Sequence, residues 1–508
     1  MSQAGANLIG GAWREIPGDP LRSWNPARPS SCVWSGAPVV SHVNQAVASA
    51  RGAFGAWSSL SFEKRSAVLR RFQAIAKARE DSLSALIRDE VGKPMWDARG
   101  EAQLIPAKVD ITLDPAGPLK RVEGYEVGAG ATRVGRCWFR PHGVLAVLGP
   151  FNFPAHLPNG HIIPALAMGN TVVFKPSDKA PAVGQLLARM LQESLDAEKA
   201  PPGVLNLVHG GADVASALTG HDEIDGVLFT GSWPVGRSIM QANLDRPGRI
   251  LALEMGGNNA AAIMPDADLK QAVIECVRCA FISAGQRCTC TRRLIVHRDA
   301  AAAVIPAVCK CASSLILGDP AASHPVFMGP VITQAAREAI LAAQERLRRS
   351  GGEVLVPCGS VDAGAGGWFV TPGVMRVEGF SRHESAGAGC DCEVFGPFLR
   401  VAVVESLDQA IAQTNATSFG LAASIFTRDP ASADRFLREV RAGCVNVNTG
   451  TAGASSKLPF GGLGLSGNHR PAGAFSLDYC AYPVAGMTEH ADAATISPGM
   501  RFEESWLR

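Results

Sequence analysis

GVLFTGSWPVGRSIMQANL, residues 226–244, opens as an apolar run short enough for a buried strand, passes through a glycine-bearing turn, and continues with apolar residues at helical spacing. Pro234 falls in the first turn of the expected helix, where a missing N–H costs nothing. Gly231 and Gly236 would flank the helix N-terminus, an end whose free N–H groups and dipole favour a diphosphate. The spacing is not the G-x-G-x-x-G fingerprint of dinucleotide-binding folds. Alone, the stretch is read more simply as an ordinary strand-to-helix turn than as a phosphate site.

Working outward, the same unit recurs. GVLAVLGP (143–150), TVVFKPS (171–177) and VLNLVHGG (204–211) read as further buried strands. Helix-compatible segments such as APAVGQLLARMLQESLDAE (180–198) lie between them, the rhythm of a parallel sheet covered by helices. Upstream, residues 60–92 place apolar residues at helical spacing among charged ones and predict one or two amphipathic helices. A second alternating region runs from about 260 past GCVNVNTG (443–450), which puts a domain boundary near 255. The glycine-rich VDAGAGGW (361–368) is short enough to be a surface loop.

A chain of 508 residues is too long for one typical core, so two or three domains are expected. Its 47% hydrophobic and 19% charged residues are those of a folded enzyme rather than a disordered chain. The net charge of +2 comes from dispersed basic residues, which argues against nucleic acid as a partner. The N-terminus lacks the pattern of a secretory signal, and no apolar run is long enough to cross a bilayer. No membrane association and a cytoplasmic location are therefore expected. Thirteen cysteines, an odd number scattered along the chain, read as reduced thiols.

Several residues stand where chemistry is possible. Lys175 ends a predicted strand, the place where ligands of open α/β sheets sit, and could hydrogen-bond a ribose. Asp178 would repel a 2′-phosphate there, which favours NAD over NADP. Asn152, held between aromatics and prolines in GPFNFPAHLPNG, suits either a rigid oxyanion donor or a turn. Glu254 closes the apolar run ILALE; burial would raise its pKa and make it a general base, whereas a salt bridge would make it structural. In AGQRCTC (284–290), Cys288 is a reactive thiol or a buried inert one, and Arg287 would favour the thiolate if it faced the sulfur. Cys276 and Cys279 form a C-x-x-C, but no second such pair follows at zinc-site spacing, so no metal is expected.

GPFNFP, FKPS, FTGSxxxG, LEMGGNN, GQRCTC, EVFGP and PFGGLGLSG, in that order over most of the chain, resemble the aldehyde dehydrogenase superfamily. The resemblance implies an α/β fold with a Rossmann-type NAD-binding domain (1–119 and 139–255), an α/β catalytic domain (256–448), and a small β oligomerisation extension with bridging segments (120–138 and 449–490). Residues 491–508 form a tail. It also implies Cys288 as the nucleophile, Glu254 as the general base, and the Asn152 side chain with the Cys288 N–H as the oxyanion hole. Cofactor contacts are implied for Lys175, Ser177 and Asp178, for Gly231, Ser232 and Gly236 of the turn, and for Glu393 and Phe395 of EVFGP.

The expected reaction is NAD-dependent oxidation of a small-molecule aldehyde through a thiohemiacetal and a thioester, which water activated by Glu254 hydrolyses to an acid. The intact residue set argues against a catalytically silent relative. The longer runs are most similar to members whose aldehyde carries carboxylates, so cations should line the entrance, with His469 and Arg470 of GNHRP as candidates. Pro115 and Pro118 interrupt a segment where the family pattern has a continuous tunnel-lining helix. A homodimer or homotetramer is implied.

Overall fold

A computed structural model of the protein describes residues 2–508 apart from 384, 386 and 493. The apolar runs around residue 226 become the strands Val144–Leu148, Thr171–Lys175, Leu205–Leu207, Gly226–Gly231 and Ile250–Met255, which pair in parallel. Every residue of Val144–Leu148 and Thr171–Lys175 is buried, as expected of strands covered on both faces. The sheet order is Ile250–Met255, Gly226–Gly231, Val144–Leu148, Thr171–Lys175, Leu205–Leu207, then the antiparallel hairpin Ala6–Ile9 and Ala12–Glu15. Chain order therefore reverses beside Val144–Leu148. The crevice beyond the carboxyl ends of Val144–Leu148 and Gly226–Gly231 is the topological switch point at which such sheets bind ligands.

A second seven-stranded sheet is built from residues 259–447. Its order is Glu353–Val356, Gly373–Arg376, Phe398–Val404, Thr291–His297, Asn259–Ile263, Ala422–Phe426 and Cys444–Val447, parallel except at the first edge. A third, antiparallel sheet joins Ala481–Glu489, Arg133–Pro141 and Tyr125–Gly128.

Residues 60–92 form two helices. Phe62–Ala78 is capped by the Ser61 hydroxyl, which accepts from the Lys64 N–H, and Glu80–Val91 follows a break at Arg79. The next helix, Met95–Thr112, ends before Pro115, and Pro118 starts a separate short helix, Pro118–Arg121. The prolines lie at the break between the two helices, where their fixed φ and missing N–H oppose a continuous helix. Among the described residues, no helix is long and apolar enough to cross a membrane.

Candidate active site

A cavity of about 1250 Å³ opens at the switch point. The strand Thr171–Lys175 delivers Lys175 to one end of it, where the ammonium donates to the Pro176 carbonyl at 2.9 Å and makes no ion pair among the described residues. Burial lowers the Lys175 pKa to about 8. Ser177 and Asp178 line the same end, Asp178 partly exposed beside Lys179 at 3.7 Å. Gly231 and Ser232 lead from strand to helix Trp233–Ala242, whose first turn contains Pro234, and the Ser232 side chain does not cap it. The open helix end thus faces the cavity with its N–H groups unclaimed by a side chain.

Gly236 does not line this cavity, contrary to its expected cofactor contact. A Cβ at position 236 would lie 2.3 Å from the Met255 sulfur, so this glycine lets the helix rest against strand Ile250–Met255.

Across the cleft, Glu393 and Phe395 line the opposite wall. A Glu393 oxygen accepts from the Gly257 N–H at 3.2 Å and lies 4.0 Å from the Arg292 guanidinium, while burial pushes its pKa up. The Phe395 ring stands edge-on to Phe151 with centroids 5.9 Å apart.

Asn152, Glu254 and Cys288 all line the cavity, with the Cys288 thiol beside the Glu254 carboxyl. Glu254 is 1% exposed, and neither of its carboxylate oxygens has a hydrogen-bond partner within ordinary geometric limits. Burial raises its pKa to about 8; the adjacent Cys288 thiol favours the charged form and Glu393 opposes it. Burial and these two carboxylates push the Cys288 thiol well above the usual range. Burial thus favours the neutral form of both groups. No hydrogen bond claims the Asn152 amide or the Cys288 N–H among the described residues. Both donors remain available to a developing oxyanion.

The loop carrying Cys288 is held under strain. Ser283, Ala284 and Gly285 are all left-handed, at φ 53°, 53° and 69°. For the two non-glycine residues this costs on the order of 1–3 kcal/mol each. A Cβ at Gly285 would fall 2.0 Å from the Gly396 carbonyl oxygen, so the AGQRC and EVFGP segments pack backbone to backbone.

Arg287, expected to favour a Cys288 thiolate, turns away from it. Its guanidinium donates to Asp97 at 2.6 Å and to the Ser283 hydroxyl at 2.8 Å, and it stacks over the Phe153 ring. The positive charge is spent on a buried carboxylate and acts on Cys290 rather than on Cys288.

Sequence reasoning missed Asn259, whose side-chain N–H groups donate to the Cys288 carbonyl at 2.7 Å and the Cys290 carbonyl at 2.9 Å. Its one available signal was the second asparagine of LEMGGNN. It also missed Glu101, which accepts from the N–H groups of Ala155 and His156 at 3.0 and 3.1 Å and pairs with buried Lys93 at 2.7 Å. Glu101 thereby clamps the turn that presents Asn152.

A buried polar chain was likewise unforeseen. His161 lies 2.7 Å from the Tyr479 hydroxyl and 3.2 Å from that of Thr230, which sits opposite Glu254 in the sheet. Burial and nearby Lys108 hold His161 neutral.

His469 and Arg470 are not brought to the cavity. Both adopt left-handed backbone, His469 is exposed, and the Arg470 guanidinium donates to the Gly462 carbonyl at 2.6 Å within its own loop.

The model of the aldehyde dehydrogenase family matches residues 13–483. N-succinylglutamate 5-semialdehyde dehydrogenase of Paraburkholderia xenovorans is 43% identical over 500 residues, covering 97% of this chain and 99% of that one. Among solved structures, 1-pyrroline-5-carboxylate dehydrogenase from Thermus with bound NAD is similar at a TM-score of 0.88 and 27% identity, over 96% of this chain and 93% of that chain. Glyceraldehyde-3-phosphate dehydrogenase of Methanocaldococcus jannaschii with NADP is similar at 0.86 and 25% identity, over 93% of this chain and 100% of that one.

Proposed function

The chain belongs to the aldehyde dehydrogenase family, and from that premise we propose that it oxidises N-succinylglutamate 5-semialdehyde to the corresponding acid with NAD. The observation that carries the chemistry is the buried pair of Cys288 and Glu254 beside two unclaimed donors. The substrate is supported by the 43% identity to a relative of that name across nearly both chains.

In this reading the Cys288 sulfur attacks the aldehyde carbon as its thiolate, the thiol proton passing to solvent through the open cavity. The Asn152 amide and the Cys288 N–H hold the oxyanion. NAD, when bound, supplies the hydride acceptor. The residues fit it: Lys175, Ser177 and Asp178 would hold the adenosine ribose, the Gly231–Ser232 turn the diphosphate, and Glu393 with Phe395 the nicotinamide end. Asp178 favours NAD, because a 2′-phosphate beside it would be repelled. After oxidation, Glu254 as carboxylate removes a proton from the water that attacks the thioester, and the acid leaves.

The unit holding residues 1–119 and 139–255 would carry the cofactor, and 256–448 the nucleophile. Segments 120–138 and 449–490 would join protomers in a homodimer or homotetramer. The exposed Tyr125, Val127 and Met487 on the three-stranded sheet, with its free edge, support this. Thirteen unpaired thiols support a reducing, cytoplasmic setting.

A second reading, the same chemistry on another aldehyde, is favoured by one observation: His469 and Arg470 stand outside the cavity. A substrate panel with the purified enzyme separates the two. Succinylglutamate semialdehyde should give the highest kcat/KM; turnover no faster than that of a simple alkyl aldehyde refutes the first reading.

A further inference from the structure

Outside the Cys288–Glu254 pair, one cluster of nucleophilic side chains faces the cavity: Cys390 and Cys392, whose sulfurs are 3.6 Å apart. The backbone creates this closeness. The Cys392 N–H donates to the Cys390 carbonyl at 2.9 Å, a three-residue turn that folds the two cysteines back toward each other. Asp391, between them, is drawn the other way. Its carboxylate accepts from the Asn258 amide at 2.8 Å, the Thr417 hydroxyl at 2.7 Å and the Ser418 N–H at 2.6 Å. With the middle residue anchored, both thiols are presented on one side.

Their surroundings favour ionisation of one member. The Arg400 guanidinium donates to the carbonyls of Cys390 and Cys392 at 2.6 and 2.9 Å, placing a buried cation behind the turn. Arg346 also lines this part of the cavity. The Cys390 S–H points at the Cys392 sulfur, and this contact, with the two cations, lowers the pKa of Cys392 against the opposing effect of burial. Cys288 has the reverse environment, since burial beside two carboxylates keeps it protonated.

We propose that Cys390 and Cys392 form a redox-reactive dithiol that a small hydroperoxide closes to a reversible disulfide before it oxidises Cys288. The Cys392 thiolate attacks the distal oxygen of the hydroperoxide and the O–O bond breaks. Cys392 becomes a sulfenic acid, and the departing alkoxide or hydroxide takes up a proton. Cys390 then attacks the Cys392 sulfur, the S–O bond breaks, and the leaving hydroxide departs as water with the proton that Cys390 gives up. Two thiols lose two electrons, and one hydroperoxide becomes an alcohol, or water, plus water. The site needs no other reactant, and its chemistry does not depend on which aldehyde the enzyme oxidises.

The test uses the full chain, freed of reductant and exposed to graded hydrogen peroxide, then alkylated with N-ethylmaleimide and digested. At the lowest effective dose, the peptide holding Cys390 and Cys392 should lose the mass of two hydrogens and take up no label, while the Cys288 peptide is labelled in full. Dithiothreitol should restore both labels. In Cys392→Ser the loss of two hydrogens should vanish, and Cys288 should be oxidised at a lower dose, with activity that dithiothreitol no longer fully recovers. Cys392 is half-buried and bonds through its backbone, so serine should be accommodated. Oxidation of Cys288 while Cys390 and Cys392 keep both labels would overturn the proposal. So would added oxygen on Cys392 without bridging to Cys390.

Discussion

The side-chain amide of Asn259 donates to the Cys288 carbonyl at 2.7 Å, and its oxygen accepts from the Ala422 N–H at 3.0 Å, tying the nucleophile's backbone to the neighbouring strand Ala422–Phe426. The second donation, to Cys290, fixes the peptide on the far side of the sulfur. Asn259→Ala removes all three bonds and lets the Cys288 N–H drift from the oxyanion position. A misplacement of about 1 Å lowers turnover by about 10²-fold. Steady-state kinetics should show that loss in kcat with NAD binding unchanged, because Asn259 does not line the cofactor cavity.

Asn152 supplies a donor that nothing else in the described structure claims. Asn152→Ala should lower kcat by about 10²–10³-fold, the usual cost of removing one oxyanion donor. Alkylation of Cys288 by iodoacetamide forms no oxyanion and should proceed at nearly the native rate. Equal losses in both assays would show that the substitution disturbs the sulfur itself.

The strand-and-turn units could be read from sequence because a parallel strand buried on both faces is a short apolar run whatever surrounds it. The ligand end of the sheet followed, since the carboxyl ends of parallel strands are set by chain direction, whereas the switch point depends on the spatial order of the strands and came from the fold. Arg287 and Gly236 behaved differently. The direction of the Arg287 side chain is set by Asp97, 190 residues away, and Gly236 is placed by packing, because the Met255 thioether of strand Ile250–Met255 fills the space a Cβ would take. The bonds made by Asn259 and Glu101 are likewise contacts between distant segments, which no local pattern encodes. The left-handed run at 283–285 includes a serine and an alanine, residue types that conceal it.

Asp97 is buried with Arg287, and the pair holds the left-handed turn through Ser283. Asp97→Ala leaves the guanidinium charge without its partner in a largely buried place. Breaking a buried ion pair from one side costs roughly 3–5 kcal/mol. Urea unfolding should show a loss of that size with an unchanged m-value. A loss under about 1 kcal/mol would mean that Arg287 swings to solvent, as surface pairs do.

Glu254 carries two pH dependences of opposite use. Its folded-state pKa is raised from 4.5 to about 8, so the folded protein keeps a proton that the unfolded chain releases. The stabilising contribution of that proton is fully present below pH 4.5 and is lost as pH rises through about 8. Activation of water needs the carboxylate, so thioester hydrolysis should accelerate with pH through the same value. Glu254→Gln keeps the shape and removes the titration. In rapid-quench mass spectrometry the variant should accumulate acyl-enzyme on Cys288 at every pH, and the alkaline rise in turnover should flatten. Its melting temperature should fall less than that of the native enzyme between about pH 5 and 8, the span between the unfolded and folded pKa values. An unchanged alkaline limb in the variant would assign the pH dependence to another group, and absence of acyl-enzyme would remove Glu254 from the hydrolytic step.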